Sequence, residues 1–532
     1  MADSVVVRCH RRSPRSLLVV SLAVFLFHAG PAAGQDAGLD PPEVRALWVD
    51  AFHAGIRSPA EADELVAAAL RARLNTLFVQ VRRRGDVLYL KSNEPPLADP
   101  AYTPGFDALA YVIERGHRAG LSVHAWVNAM PVWRNDAPPA DPRHLFHRHG
   151  PGQPGDDNWF TATPAGDHLF PVGYFLDPGH PAAADFLAGV YVSLVRDYDI
   201  DGIHFDYIRY PETEERLPRG AAVGYNAVSL RRFQAATGRH DVPGPGDEQW
   251  TMWRRQQVTH LVRRVALEAR AAKARIIVSA AVIPWGAPPA GERDFADTAP
   301  MQRVFQDWHA WLNDGLIDIA VPMNYARETD DRVRGWFDGW VRWEKAHGHG
   351  RAIVTGLGAY RNTPAHTLAQ VARARATTPT QQRLLGVSFF SYASPVLPDE
   401  VRPATEPPSL ADVAAVGVDR FAFLADGVAS APAAFARPAP FPTLPWVAQP
   451  DTGAIAGQTA VTTGTAHALV RRAGWFRRTT RVDVDGNGWF GVARLRPGRY
   501  RVQIDHGGVR TAPAWVTVSA GQVTRVGGEA PK

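Results

Sequence analysis

The sequence predicts a (β/α)8 barrel followed by a small antiparallel β-sandwich, and three observations carry that prediction. From Val44 onward, short runs rich in β-branched and aromatic residues alternate eight times with longer stretches of helical period, as parallel strands joined by crossover helices do. The ends of those short runs are polar or aromatic, and strand C-termini are where such a barrel presents the side chains that touch substrate. Past a Pro- and Ala-rich stretch the pattern becomes short alternating segments broken by Gly and Asn, which suits two packed sheets.

The chain opens differently. Arg8, Arg11, Arg12 and Arg15 precede an apolar run from Ser16 to Phe27, and Ala32, Ala33 and Gly34 follow it. This reads as a secretory signal peptide over 1–34 and predicts export to the periplasm or beyond. The Arg11-Arg12 pair leaves the route open between general secretion and the twin-arginine path. The apolar run is too short to span a bilayer, and no later run is long enough to replace it. The single cysteine, Cys9, lies ahead of the run, so the mature chain would hold no disulfide, thiolate metal site or cysteine nucleophile.

The barrel is expected over 41–430. Its strands are Val44 to Asp50, Thr76 to Val81, Ser122 to Asn128, Gly202 to Ile208, Ile276 to Ile283, Asp318 to Tyr325, Ala352 to Tyr360 and Gly386 to Tyr392. The helices include Pro59 to Arg73, Phe106 to Ala119, Ala182 to Asp197, Trp250 to Lys273, Gln302 to Asn313, Asp331 to Ala346 and Pro364 to Ala376. The longest loop, Pro131 to Gly179, carries Trp133, Trp159 and Phe160, which suit either stacking on sugars or packing the loop down. A linker over 431–450 and a sandwich over 451–532 complete the chain. Asp483, Asp485, Asn487 and Gly488 imitate the start of a calcium loop, but Arg494 stands where its closing Glu would be, so a hairpin turn is expected.

The most informative run is DGIHFDYIRYP, Asp201 to Pro211. A strand's period of two sends His204, Asp206 and Ile208 toward the barrel axis and Ile203, Phe205 and Tyr207 toward the helices. A barrel interior is normally apolar, so an Asp near the strand's end needs a hydrogen-bonded partner or a role at the rim. Asp206 is therefore the candidate acid or nucleophile, with His204 and Asn128 as its orienters, while Asp201 suits a turn. Glycosidic cleavage usually takes two carboxyls; Asp50 is the first choice for the second, with Asp86 and Glu212 as competitors, and a 2-acetamido substrate could supply its own nucleophile. Gln80, Arg82, Trp126, Asn128, Tyr207, Trp285, Asn324, Tyr325 and Tyr392 are the candidate substrate-binding residues, jointly describing an aromatic, hydrogen-bonding cleft.

Other chemistries find less support. There is no HExxH helix, no GxSxG elbow in context and no Walker A loop. His144, His147 and His149 cluster in the long loop without a telling carboxylate, so neither metal nor cofactor is expected. The net charge of +5 comes from scattered arginines without a basic block, which reads as a solvated surface and not as a nucleic-acid site.

The runs VRALWVD (Val44 to Asp50), NTLFVQVRRRGD (Asn75 to Asp86), GLSVHAWVN (Gly120 to Asn128), LDPGHP (Leu176 to Pro181), YDIDGIHFDYIRYP (Tyr198 to Pro211), FQDWHAWLNDGLID (Phe305 to Asp318), VPMNY (Val321 to Tyr325) and GVSFFSY (Gly386 to Tyr392) resemble the family-10-like glycosyl hydrolases. That bacterial family of exported proteins and lipoproteins includes peptidoglycan glycan-strand hydrolases. The resemblance implies a barrel, a glycan substrate and a catalytic Asp on the fourth strand, here Asp206. Where some relatives read HFDDY this chain reads HFDYI, so an adjacent second carboxylate is missing, and there is no lipobox cysteine. The C-terminal part is similar to carboxypeptidase-regulatory-like or immunoglobulin-like modules, which implies attachment or spacing. The expectation is an exported glycoside hydrolase acting on an amino-sugar-containing polysaccharide, first of all peptidoglycan strands. The alternatives are a catalytically silent glycan-binding envelope protein and a hydrolase of secreted exopolysaccharide.

Overall fold

The computed structural model describes residues 38–135, 137–213, 220–394, 396, 420–462, 465–474 and 478–527; the expected signal peptide lies outside them. Strands β1 (Val44–Val49), β2 (Thr76–Arg82) and β3 (Ser122–Asn128) are followed by a small pair, β4 (Pro131–Trp133) and β5 (Tyr174–Phe175), on the long loop. Then come β6 (Gly202–Asp206), β7 (Ile277–Val282), β8 (Ile319–Asn324), β9 (Ala352–Gly358) and β10 (Gly386–Phe390). The eight long strands are parallel and close into a barrel in the order β1-β10-β9-β8-β7-β6-β3-β2.

Helices α1 (Pro59–Arg71), α2 (Ala108–Arg118), α3 (Leu145–His149), α4 (Pro181–Asp197), α5 (Ala227–Thr237), α6 (Glu248–Ala272), α7 (Ala299–Gln302), α8 (Trp308–Asn313), α9 (Asp331–Ala346) and α10 (Pro364–Arg375) connect the strands. The single helix expected from Gln302 to Asn313 is broken. Phe305 takes a left-handed conformation at φ 56 and Asp307 caps the Ala310 N–H at 3.1 Å, so the chain restarts as α8. Helix α5 falls inside a stretch for which the sequence suggested nothing. The loop aromatics pack the loop: Trp159 stacks on His149 at 3.4 Å between ring centres and Phe160 is wholly buried.

The barrel's interior is filled by large rings, Trp48, Phe78 and Trp126 among them. Gly356 makes room for one of these, because a Cβ there would sit 2.6 Å from the Trp48 ring. On the outer face Phe205 packs on Tyr191 of α4, as the period of two requires.

Past the barrel, the segment expected to be a linker instead covers the strands' N-terminal ends. Leu444 is buried with Val44, Ala46, Ile277, Ile319 and Ala352, Trp446 donates to Asp318 Oδ1 at 3.0 Å, and Ala439 O accepts from Asn75. Its prolines limit regular structure to one short helical turn, Pro445–Ala448, while its apolar side chains find the open end of the barrel. The final strands are β11 (Gly453–Gln458), β12 (Ala466–Arg472), β13 (Thr479–Asp483), β14 (Trp489–Leu495), β15 (Gly498–His506), β16 (Val509–Arg510), β17 (Ala514–Val518) and β18 (Val523–Val526).

They form two sheets, β14-β11-β18 and β13-β12-β15-β16 with β17 beside β15, around a core that includes Ile455, Val470, Phe490 and Val502. Two details differ from expectation. The pair β11 and β18 is parallel, and the Asp485 turn joins β13 to β14 across the sheets, so it is an arch and not a hairpin. Asp485 Oδ1 accepts from the Asn487 and Trp489 N–H groups, at 2.8 and 2.9 Å, which closes the turn locally. From Leu39 onward the chain is one compact unit, and the sandwich docks on α6 through Leu267, Ala454, Ala456 and Trp489. No helix among the described residues is long and apolar enough to cross a membrane.

Candidate active site

The strands' C-terminal ends surround a cleft of about 510 Å3 whose walls include Trp48, Trp126, Trp285, Tyr325, Tyr360 and Phe390. Asp206 sits in it at the last position of β6. Its Oδ1 accepts from the Tyr207 N–H at 2.6 Å and its Oδ2 from Trp126 Nε1 at 3.2 Å. Burial pushes the Asp206 carboxyl up to about 6, against smaller opposing effects of Arg209, the Tyr207 N–H and Trp126. It is thus a carboxyl able to hold a proton near neutrality and facing an aromatic cavity.

The chain leaves β6 abruptly. Tyr207 is left-handed at φ 47, which reverses the side-chain alternation: Tyr207 turns into the cleft wall and Ile208 joins the outer core. The expectation that Ile208 faces the axis and Tyr207 the helices is corrected by that one residue, whose unfavourable backbone conformation is held by its surroundings.

Asp50 also lines the cleft, and both of its oxygens are engaged. Oδ1 accepts from the Phe52 N–H at 3.1 Å and lies 2.6 Å from His53 Nδ1, while Oδ2 accepts from Ser391 Oγ at 3.0 Å. The hydrogen bond to Asp50 draws the pKa of His53 upward. Glu212 is a third carboxylate on the wall, with its side chain 45% exposed. Asp86 is elsewhere, held by Arg83 at 2.5 Å.

Most of the residues that build this mouth, Trp48 to Tyr360, fall within one family pattern. The model of the family described as "Glycosyl hydrolase-like 10" matches residues 43–360, more than half of the chain. The chain belongs to the glycosyl hydrolase-like 10 family. It is 25% identical over 299 residues to the Escherichia coli K12 protein named "Glycosyl hydrolase DigH", covering 50% of this chain and 60% of that one. It is 26% identical over 305 residues to "Glycosyl hydrolase YngK" of Bacillus subtilis, covering 53% and 54%. The chain therefore spans little more than half the length of the curated relatives it matches. The solved PgaB (BpsB) glycoside hydrolase domain of Bordetella bronchiseptica is similar at 14% identity and a TM-score of 0.46, over 66% of this chain and 94% of that one.

Within this family barrel the candidate residues divide. Asp50, Gln80, Trp126, Asn128, Asp206, Tyr207, Trp285 and Tyr325 come together on the cleft. Asn128 Oδ1 accepts from Trp126 Nε1 at 3.0 Å, so one indole ties it to Asp206. Gln80 Oε1 accepts from the Ala51 N–H at 2.8 Å and steadies the loop after Asp50.

His204, Arg82, Asn324 and Tyr392 do not reach the cleft. His204 is wholly buried one layer deeper, stacked on Phe78 at 4.1 Å. Its Nε2 accepts from Trp48 Nε1 at 2.9 Å, which leaves the proton on Nδ1 toward Ser279 Oγ, also at 2.9 Å. Burial holds it neutral, well below the usual imidazole range. It orients Trp48, not Asp206.

Arg82 is spent on a bidentate pair with Glu94, at 2.7 and 2.8 Å, and on the carbonyls of Asn128 and Ala129. The ladder between β2 and β3 skips a residue there, moving Arg82 off the inward row. Asn324 follows Ile319, Val321 and Met323 out of phase, so its amide donates to Glu344 at 2.6 Å and Thr355 at 2.7 Å under α9, and Met323 takes the wall. Tyr392 lies in the outer core beneath Arg420, and Phe390, Ser391 and Ser394 line the cleft in its place.

Residues the sequence reading passed over include Trp48, Phe52, His53, Tyr360, Arg361 and Arg209. Trp48 was recoverable, because it stands two residues before Asp50 on the same face. Tyr360 and Arg361 lie on a 3-10 turn just past the end of β9, where the strand has already stopped, and the rest sit on loops, where no periodicity announces direction.

Proposed function

We propose that this chain hydrolyses glycosidic bonds in an amino-sugar-containing polysaccharide, with peptidoglycan glycan strands as the first substrate, and that Asp206 is its general acid. One observation carries the reading: Asp206 is a buried carboxyl with a proton affinity raised to about 6, aimed into an aromatic-walled cleft. A general acid must hold its proton near the working pH and deliver it to the leaving oxygen. The proton of Asp206 passes to the glycosidic oxygen as the bond to the anomeric carbon breaks. The hydroxyl of a water then completes the anomeric carbon, and that water's proton goes to Asp50, whose oxygens are fixed by Ser391, Phe52 and His53.

With a 2-acetamido sugar the substrate's own carbonyl oxygen is the other candidate for the attack, and Asp50 then steadies the positive charge that develops. Inversion of the first product's anomeric centre would mark the direct route and retention the assisted one. The indole and phenol faces of the wall suit the apolar faces of pyranose rings. The arginine-led apolar run at the N-terminus supports an activity outside the cytoplasm.

The test is incubation of the purified chain with intact and peptide-stripped sacculi, reading new reducing ends and fragment masses. Asp206→Asn is expected to lower the rate by about 10^2- to 10^4-fold with circular dichroism unchanged. Binding without new reducing ends from any strand would replace this reading with a silent glycan-binding barrel.

A further inference from the structure

Arg209 comes three residues after Asp206, just beyond the reversal at Tyr207. It is 3% exposed, yet it lines the cleft. A buried guanidinium is ordinarily matched by a carboxylate or by several carbonyls on its rim of donors. Arg82 and Arg254 follow that rule: the first has Glu94 and two carbonyls, the second the carbonyls of Ala221, Val223 and Pro245.

Arg209 does not. Its Nη1 reaches the carbonyl of its neighbour Tyr210 at a long 3.4 Å, its Nη2 stands 3.8 Å from Glu212 Oε1, beyond hydrogen-bond range, and its Nε has no acceptor among the described residues. What it does have is aromatic surface. Its central carbon lies 4.4 Å from the ring centre of Tyr207 and 5.2 Å from that of Trp285, both cleft residues. Stacking satisfies the faces of a guanidinium and leaves its edge for an acceptor.

The charges around it decide which acceptor. Among the described residues three carboxylates line the cleft: Asp50 is answered by His53, Asp206 carries its proton when it acts as the acid, and Glu212 is half exposed and stands 3.8 Å from Arg209, an ion pair screened by solvent and too long for a hydrogen bond. Arg361 is a second cation on the wall, bound to the Tyr360 hydroxyl and the Tyr325 carbonyl and to no carboxylate that the described residues provide.

We propose that Arg209 recognises a carboxylate borne by the sugar substrate, so that the cleft selects an acidic glycan over a neutral one of the same backbone. This rests on the reading of the cleft as a glycan site and adds the chemical class it takes. Two sources share that chemistry, a lactyl ether on an amino sugar and the carboxylate of a hexuronate.

The experiment measures equilibrium binding to the intact wild-type chain of four labelled oligosaccharides of matched length. These are peptide-stripped strands with free lactyl groups, the same strands after reduction of those carboxyls to alcohols, a hexuronate oligomer and a chitooligosaccharide. Reduction is expected to weaken binding about tenfold, the worth of one charge-assisted hydrogen bond, and whichever acidic oligomer binds more tightly names the source. In Arg209→Gln the ratio between free and reduced strands should collapse toward one, while Arg209→Lys should keep part of it; thermal melts verify that each variant folds.

Equal binding of free and reduced strands by the wild type overturns the proposal and needs no variant. So does a variant that moves the pH profile but keeps the ratio, since that is the mark of a residue that merely adjusts Asp206. Because binding is read before appreciable turnover and cleavage is read separately, preference for acidic strands with no cleavage sinks the hydrolase reading alone. Equal binding with cleavage sinks this proposal alone.

Discussion

At the floor of the barrel, Arg45 is wholly buried, and its guanidinium is closed off by the chain. Glu43, Asp40 and the Arg437 carbonyl accept from it at 2.7, 2.7 and 2.6 Å, and the Phe435 ring covers it at 4.2 Å. At the mouth, Asp206 is about as deeply buried but keeps its free capacity turned to a cavity, and Arg209 beside it lacks a close acceptor among the described residues. The two ends shift their acids in opposite directions. Burial alone would raise Asp40, but hydrogen bonds from Arg45 and Arg437 outweigh it and hold that carboxyl below its ordinary value. For Asp206 the opposing effects of Arg209, the Tyr207 N–H and Trp126 are smaller, and burial wins. A barrel end becomes a site when its polar groups are left unmatched by the chain, not merely because polar groups are there.

The sharpest way to break this contrast is to remove a charge from each end. Arg45→Met removes the buried cation and leaves Asp40 to Arg437 and Glu43 to Arg375, and should cost about 2 kcal/mol of stability in urea melts, with activity per folded molecule unchanged. Asp206→Asn should do the reverse, lowering hydrolysis by the same factor of about 10^2 to 10^4 while raising stability at pH 7 by up to about 3 kcal/mol, because the fold then buries no carboxylate there.

The pH dependence follows with its sign. A carboxyl raised from 3.8 to about 6 favours the fold most below 3.8 and loses that contribution as pH climbs through about 6. Asp40, held low, contributes above 3.8 and loses its share as pH falls below it. Acidification should therefore weaken the floor while relieving the mouth, a difference that hydrogen exchange at the two ends would show. For catalysis, kcat/KM should fall about tenfold per pH unit above about 6 as Asp206 gives up its proton. A rate that stayed flat from pH 6 to 8 would remove Asp206 from the acid's role.

The smallest effect belongs to the wall. Trp285→Ala should raise KM about fivefold with kcat little changed, the loss of one stacking face that serves ground and transition states alike.

Much of this was readable in one dimension. The eight strands fall within a few residues of where hydrophobic periodicity puts them, and Asp206 stands out because a carboxylate on an inward row of a barrel strand has to be explained. Direction failed where a single residue broke the period: Tyr207 by its left-handed backbone, Arg82 by a skipped residue in the ladder, Asn324 by lying one step out of phase with Met323. His204 failed otherwise. It does face the axis as expected, but a layer below the cavity, where Trp48 and Ser279 take both its nitrogens.

Local composition and spacing thus determined the barrel and singled out the leading carboxylate, because strand and helix patterns are written in consecutive residues. Only the tertiary structure decided which polar side chains were already spoken for. Those partners lie far along the chain, Glu344 for Asn324 and Arg437 for Arg45, and a hydrogen bond between distant segments leaves no mark on the spacing of either.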